Sequence, residues 1–228
     1  MSTRRIIKND PFANWEGDVV QFRLTYEGPL LAESSSRGKI PGRATNKQYI
    51  RKVFHKQLKR LWSTHPSFSG QWGEIQSDGF VTAMQKDYDL HHNLDNLTNR
   101  FERFGYRFIP STTRTLGVMC GLDILFLRND PPGAIVTGGD IDNRLKTLID
   151  GLQMPRDKSQ LGEYLQPGDG EDPFFCLLED DSLITRLSVE TDTLLQPLDD
   201  EPNVNDARVV ITVTLKPYAM TADNYGFG

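Results

Sequence analysis

The chain has 228 residues, of which 37% are hydrophobic and 25% charged, and a net charge of −5. This is the make-up of an ordinary globular protein long enough to bury one sizeable core, and no run nears the roughly 18 apolar residues of a membrane span. Two cysteines far apart, Cys120 and Cys176, argue against a disulfide scaffold or a thiolate zinc site and fit a reducing cytoplasm, while Met1 to Lys8 offers no apolar stretch for a signal peptide.

Taken in order, Asp18 to Tyr26 largely alternates through Val20, Phe22, Leu24 and Tyr26, which predicts a first strand ended by Gly28-Pro29. Ser34 to Thr45, rich in Ser, Gly and Arg, reads as a loop. Asn46 to Trp62 is a predicted helix: Ile50, Val53, Phe54, Leu58 and Leu61 make one apolar stripe, with Arg51, Lys52, Lys56 and Lys59 mostly opposite. A second helix is predicted over Asp87 to Phe104, from Leu90, Leu94, Leu97, Phe101 and Phe104. A short strand at Tyr106 to Ile109 and a longer one at Gly117 to Leu127 precede the breaker Pro131-Pro132-Gly133. Asp142 to Leu152 is helical by the spacing of Leu145, Leu148, Ile149 and Leu152. Gln153 to Phe174 is polar and reads as an inserted loop. Strands follow at Leu183 to Val189 and Arg208 to Leu215, joined by an acidic turn around Asp199-Asp200-Glu201-Pro202, and Tyr218 to Gly228 is a loose tail. Strands and helices without regular βαβ alternation predict an α+β fold.

The most informative stretch is Asp140-Ile141-Asp142-Asn143-Arg144-Leu145-Lys146, followed later by Leu178-Glu179-Asp180-Asp181-Ser182. Carboxylates crowded on that scale repel one another unless a hard cation sits among them, and oxygen-only ligands suit Mg²⁺. Four residues advance roughly 400° on a helix, so Asp142, Lys146 and Asp150 share one line beside the apolar stripe. Asp140 falls just before the helix, where exposed amides favour an ionised carboxylate. If Asp180 and Asp181 are extended, they point to opposite faces and one of them joins the aspartates. Mg²⁺ so held would take phosphate oxygens as further ligands and lower the pKa of a water in line with a phosphodiester, with Lys146 near enough to neutralise transition-state charge. The plain alternative is a surface ladder of Asp142–Lys146–Asp150 ion pairs.

The string D-I-D-N-R-L-K-T-L-I-D-G-L followed by L-L-E-D-D-S-L-I-T-R-L-S-V resembles the signature of RusA-type Holliday junction resolvases, over about residues 138–190. The resemblance implies a mixed β-sheet with helices packed mainly on one face, in a single domain 1–228 with extra segments at about 63–105 and 153–176. It places catalytic aspartates at Asp140, Asp142 and Asp181, a companion acid at Asp180 and the catalytic-site lysine at Lys146. Activity on branched DNA with Mg²⁺, or Mn²⁺ in its place, follows from the resemblance. So do a homodimer that makes paired incisions, a bacterial or phage cytoplasm, and a role in recombination or repair.

Charge is divided along the chain. Residues 1–70 hold 13 Lys and Arg against 5 Asp and Glu, and residues 71–228 hold 13 against 26. This suggests one part for a polyanion and another for metal. Ser34 to Gly73 contains no acid, and its loop cations Arg37, Lys39 and Arg43 are candidate phosphate contacts. Lys47, Arg51 and Lys52 on the following helix extend that set, with a solvated helix face as their alternative. Trp62, Phe68 and Trp72 are candidates to stack on an exposed base, or core. His91-His92 point about 100° apart on a helix, a poor chelate, and read as surface residues. Two rival readings remain: an idle DNA-binding or assembly module of the same fold, and a defence or mobile-element nuclease of broader substrate range. In the latter, the insertions would bind a partner protein.

Overall fold

The computed structural model describes residues 20–32, 42–65, 68, 98–129, 140–200, 203 and 205–218. Among these residues the chain forms β1 (Gln21–Pro29), α1 (Arg43–Thr64), β2 (Glu102–Arg103), β3 (Tyr106–Thr112) and β4 (Val118–Arg128). It continues as α2 (Asp140–Leu152), β5 (Phe174–Leu178), β6 (Ile184–Thr193) and β7 (Asp206–Pro217). Short 3₁₀ turns occupy Lys158–Leu161 and Asp181–Leu183. The architecture is α+β. In place of one mixed sheet there are two: four strands in the order β1-β7-β4-β6, and three in the order β2-β3-β5. Both are mixed: β6 runs parallel to β4 while β7 is antiparallel to β1 and β4, and β5 runs parallel to β3 while β2 is antiparallel to it.

Alternation makes the larger sheet. Along β7, Ala207, Val209, Ile211, Val213 and Leu215 are buried, while the residues between them from Arg208 to Thr214 are partly exposed. Register extends that inner face across the strands: Leu24 lies opposite Ile211, Ile211 opposite Ile124, and Ile124 opposite Val189. Such apolar cross-strand rows are what hold a sheet of this kind in one register. β6 forms one edge of this sheet.

β5 follows another rule. Phe174-Phe175-Cys176-Leu177-Leu178 is apolar throughout and every residue is buried. A strand covered on both faces shows a continuous apolar run without period-2 alternation, which is why it lies hidden at the end of the expected loop. α1 buries Ile50, Phe54, Leu58 and Trp62, packing on β5, β1 and α2. Trp62 and Phe68, considered above as base-stacking residues, are core: the Trp62 ring meets Phe68 and Phe175, and its Nε1 donates to Ser111 Oγ at 3.0 Å. Trp72, His91 and His92 lie outside the described residues.

The helix expected to run to Phe104 stops earlier. Residues 98–100 are helical, but Glu102–Arg103 enter β2, and Phe104 and Gly105 turn the chain into β3 with φ of 55° and 83°. The left-handed pair makes a tight reversal that a helix cannot contain. Residues 71–97 and the tail 219–228 lie outside the described residues.

Candidate functional site

α2 sets the rotation of the site. Leu148 and Leu152 are fully buried, which turns Asp142, Leu145, Lys146, Ile149 and Asp150 toward an open groove of about 550 Å³. These residues are spaced i, i+3, i+4, i+7 and i+8, a single helix face. The facing wall is the start of β6, Ile184 to Leu187, and Arg156 and Asp181 complete the lining.

Asp181 reaches the groove through β5. Gln153, just past α2, bridges to Leu178, and Met154 N–H donates to Leu178 O at 3.0 Å, so the end of α2 is tied to the end of β5. Glu179 N–H donates to Thr112 O at 3.0 Å, and the Glu179 carboxylate accepts from Arg114 N–H at 2.9 Å. Asp180 then caps a 3₁₀ turn: its Oδ1 accepts from Ser182 N–H at 3.0 Å. The acid pair therefore lies in a turn and not in an extended strand, and its two carboxylates do not part to opposite faces. Arg156 Nη2 reaches both, Asp181 Oδ1 at 2.6 Å and Asp180 Oδ2 at 3.3 Å. Hydrogen bonds from Ser182, side chain first and then backbone, hold the Asp180 carboxyl below the usual carboxylate range, and Arg156 and Arg114 add to this.

Of the residues expected at the site, Asp142 and Lys146 stand exposed on the groove wall and Asp181 lines the same groove. Asp180 sits beside it without lining it. Asp140 is the first residue of α2 and does not precede the helix; its side chain lies outside the described residues. Among the described residues no three His, Cys, Asp or Glu side chains come together as a metal-holding group. The carboxylates of Asp142 and Asp181, in an open cleft, are nevertheless the donor type Mg²⁺ takes alongside water and phosphate oxygens. The surface ladder is not what forms at Asp150. That carboxylate accepts from Lys47 Nζ at 2.5 Å and from Gln153 Nε2 at 2.8 Å.

Two cations of the groove escape the sequence reading. Arg156 lies in Met154-Pro155-Arg156-Asp157, within the expected loop, and Arg186 lies on β6, where both Nη1 and Nη2 donate to Asp123, at 2.5 and 2.7 Å. The signal for Arg156 was a basic residue just past a helix and just before an Asp that caps the next turn.

The basic arm is corrected at three positions. Arg51 is wholly buried and donates to Gln153 O and Asp150 O, both at 2.7 Å, and to Gln48 Oε1. Burial lowers its pKa to about 10. Lys47 is buried on Asp150. Lys52 pairs with Glu171 at 2.9 Å and lies over the Tyr164 ring. These three join α1 to α2 and to the segment before β5, so they are not a face open to DNA. Arg43, half-buried, opens α1, and Arg37 and Lys39 lie outside the described residues.

Comparison with protein-family models, with curated proteins and with solved structures gave no match.

Proposed function

We propose that the groove is the active site of a Mg²⁺-dependent, structure-selective endodeoxyribonuclease of the RusA type, with Mn²⁺ as the alternative ion. One observation carries this reading: Asp181, some forty residues beyond Asp142 and Lys146 in the chain, lines the same groove. Asp142 and Asp181, with Asp140 as third member and Asp180 as companion, would hold the ion. That ion supplies a lowered water pKa and charge neutralisation at the departing oxygen. Lys146, on the same wall, faces the negative charge that builds on the phosphorus oxygens during displacement. The substrate is branched DNA, and a homodimer places two such grooves for paired incisions. A bacterial or phage cytoplasm and work in recombination or repair complete the proposal.

The test is cleavage of four-way junctions, flaps and linear duplex by the purified chain with Mg²⁺, beside Asp142→Asn and Asp181→Asn. The expected result is cutting of branched DNA that EDTA abolishes and that each substitution lowers about a hundredfold or more. Equal cutting of linear and branched DNA supports the defence or mobile-element nuclease instead. A second reading, the idle DNA-binding module, is favoured by the Arg156 bridge, which neutralises the acid pair without a metal. Wild-type cutting no greater than that of Asp142→Asn, with branched DNA still bound, would establish it.

A further inference from the structure

We infer that Arg156 is a substrate-binding residue of the groove, which grips a phosphodiester oxygen, and that its bridge to Asp180 and Asp181 is a resting position it leaves when nucleic acid and a divalent ion enter. The inference rests on the proposed reading of the groove as a nucleic-acid site.

The contrast lies within this structure. Arg107 holds Asp172 as a fork, Nε at 2.8 Å and Nη2 at 2.7 Å, and Arg186 holds Asp123 through both terminal nitrogens. Those are the bidentate pairs expected of arginines that serve as surface clamps. Arg156 is different. It meets two carboxylates through Nη2 alone, at 2.6 and 3.3 Å, and among the described residues its Nε and Nη1 make no hydrogen bond. Two of its three nitrogens are therefore left for another acceptor, on a side chain that lines the groove and is half exposed. A planar fork is the donor shape that matches a phosphate.

The backbone beneath it is fixed. Met154 is bonded to Leu178, Arg156 N–H donates to Gln160 Oε1 at 2.9 Å, and Asp157 Oδ1 accepts from Ser159 N–H at 2.8 Å. A firm main chain carrying a loosely committed guanidinium is suited to a ligand contact, since little backbone ordering is needed on binding. Electrostatics supply the exchange. A divalent ion on Asp181 makes the guanidinium redundant as counter-ion and repels it, whereas a phosphate entering the groove attracts it. Arg186 is already committed to Asp123 and does not compete for this role.

The experiment uses the full chain and a 5′-phosphorylated thymidine dinucleotide in Ca²⁺, with binding followed by calorimetry so that cutting is not needed. Arg156→Ala is expected to weaken the dinucleotide about ten- to hundredfold, the worth of a charged hydrogen bond. Arg156→Lys recovers part of the loss, and Arg107→Ala, a surface clamp away from the groove, leaves binding unchanged. Mn²⁺ alone, followed by its paramagnetic resonance, binds Arg156→Ala as tightly as wild type or more tightly. Unchanged dinucleotide binding in Arg156→Ala overturns the inference, as does a parallel loss of Mn²⁺ affinity, which marks a residue that merely positions the acids. Arg156-dependent binding without cleavage by wild type supports the inference and removes the nuclease reading. Cleavage with an unchanged KM in Arg156→Ala does the reverse. A wild type that neither binds nor cuts removes both.

Discussion

Replacing Arg51 with Met tests the device that holds α2 in place. Its guanidinium is fully buried and serves three acceptors: Gln153 O and Asp150 O at the C-terminal end of α2, and Gln48 Oε1. A cation there also complements the carbonyl end of the helix dipole. Methionine keeps most of the apolar stem but leaves the three acceptors without a donor. Trading a buried ion for an apolar residue is neutral only when its partners go too, and backbone carbonyls cannot. At about 1 kcal/mol for each acceptor, the loss is about 3 kcal/mol, held near this lower end because burial of the charge is itself unfavourable, as the lowered pKa of Arg51 records. With a urea slope of about 2 kcal/mol per molar, the unfolding midpoint falls by about 1.5 M. Arg51→Lys falls almost as far, since one ammonium does not span acceptors on both sides of a fork. Urea titration followed by circular dichroism measures both. A midpoint within about 0.5 M of wild type for the Met variant, or full retention by the Lys variant, refutes the assigned role.

Two further outcomes test the packing. Gly151→Ala at the α1–α2 crossing puts a Cβ 2.5 Å from Ile50 Cγ2 and 3.0 Å from its Cβ. Overpacking of about 1–3 kcal/mol outweighs the roughly 1 kcal/mol gain in helix propensity, so the melting temperature falls. Adding Ile50→Ala should then cost less than the separate effects together, and strict additivity contradicts the contact. His55 accepts Phe175 N–H on Nδ1 at 2.8 Å and faces Gly170 O through Nε2 at 3.3 Å, and burial lowers its pKa. The folded state thus keeps a neutral ring while the unfolded chain takes up a proton below about pH 6.5, so this stability is full above that pH and is lost as pH falls through the folded pKa. The fall in urea midpoint between about pH 7.5 and pH 5.0 is therefore expected to be larger in wild type than in His55→Leu, and an equal fall in the two refutes the role.

What the sequence made legible followed from regular periods. The 3.6-residue spacing of Leu145, Leu148, Ile149 and Leu152 located α2 to within two residues, and alternation located β7. β5 was hidden because a doubly covered strand has no alternation to read. Arg51 misled for a different reason: its place on the helix wheel suggested solvent, but two of its acceptors come from Asp150 and Gln153, about a hundred residues away. Pairing partners at that separation leave no local mark. The turn at Asp180-Asp181-Ser182 was within reach, because an Asp two residues before its backbone donor is a familiar capping pattern that competes with extension. Treating the pair only on the condition that it is extended hides this turn, and with it the bridge to Arg156.

The division between a basic N-terminal part and an acidic remainder takes on another meaning once partners are known. Lys47 meets Asp150, Lys52 meets Glu171, and Lys59 donates to Gly170 O at 2.6 Å, so the basic face of α1 is largely matched to the acidic half of its own chain. Within that half, Asp172 is held by Arg107 and the Asp180–Asp181 pair by Arg156. Formal charge therefore overstates both the attraction of α1 for a polyanion and the repulsion of the segment before β6. Much of the apparent contrast is consumed in joining α1 to α2 and to the chain leading into β5. If the groove takes a nucleic acid as proposed, the pairing of these cations among the described residues leaves recognition to individual side chains on its walls more than to a broad basic surface.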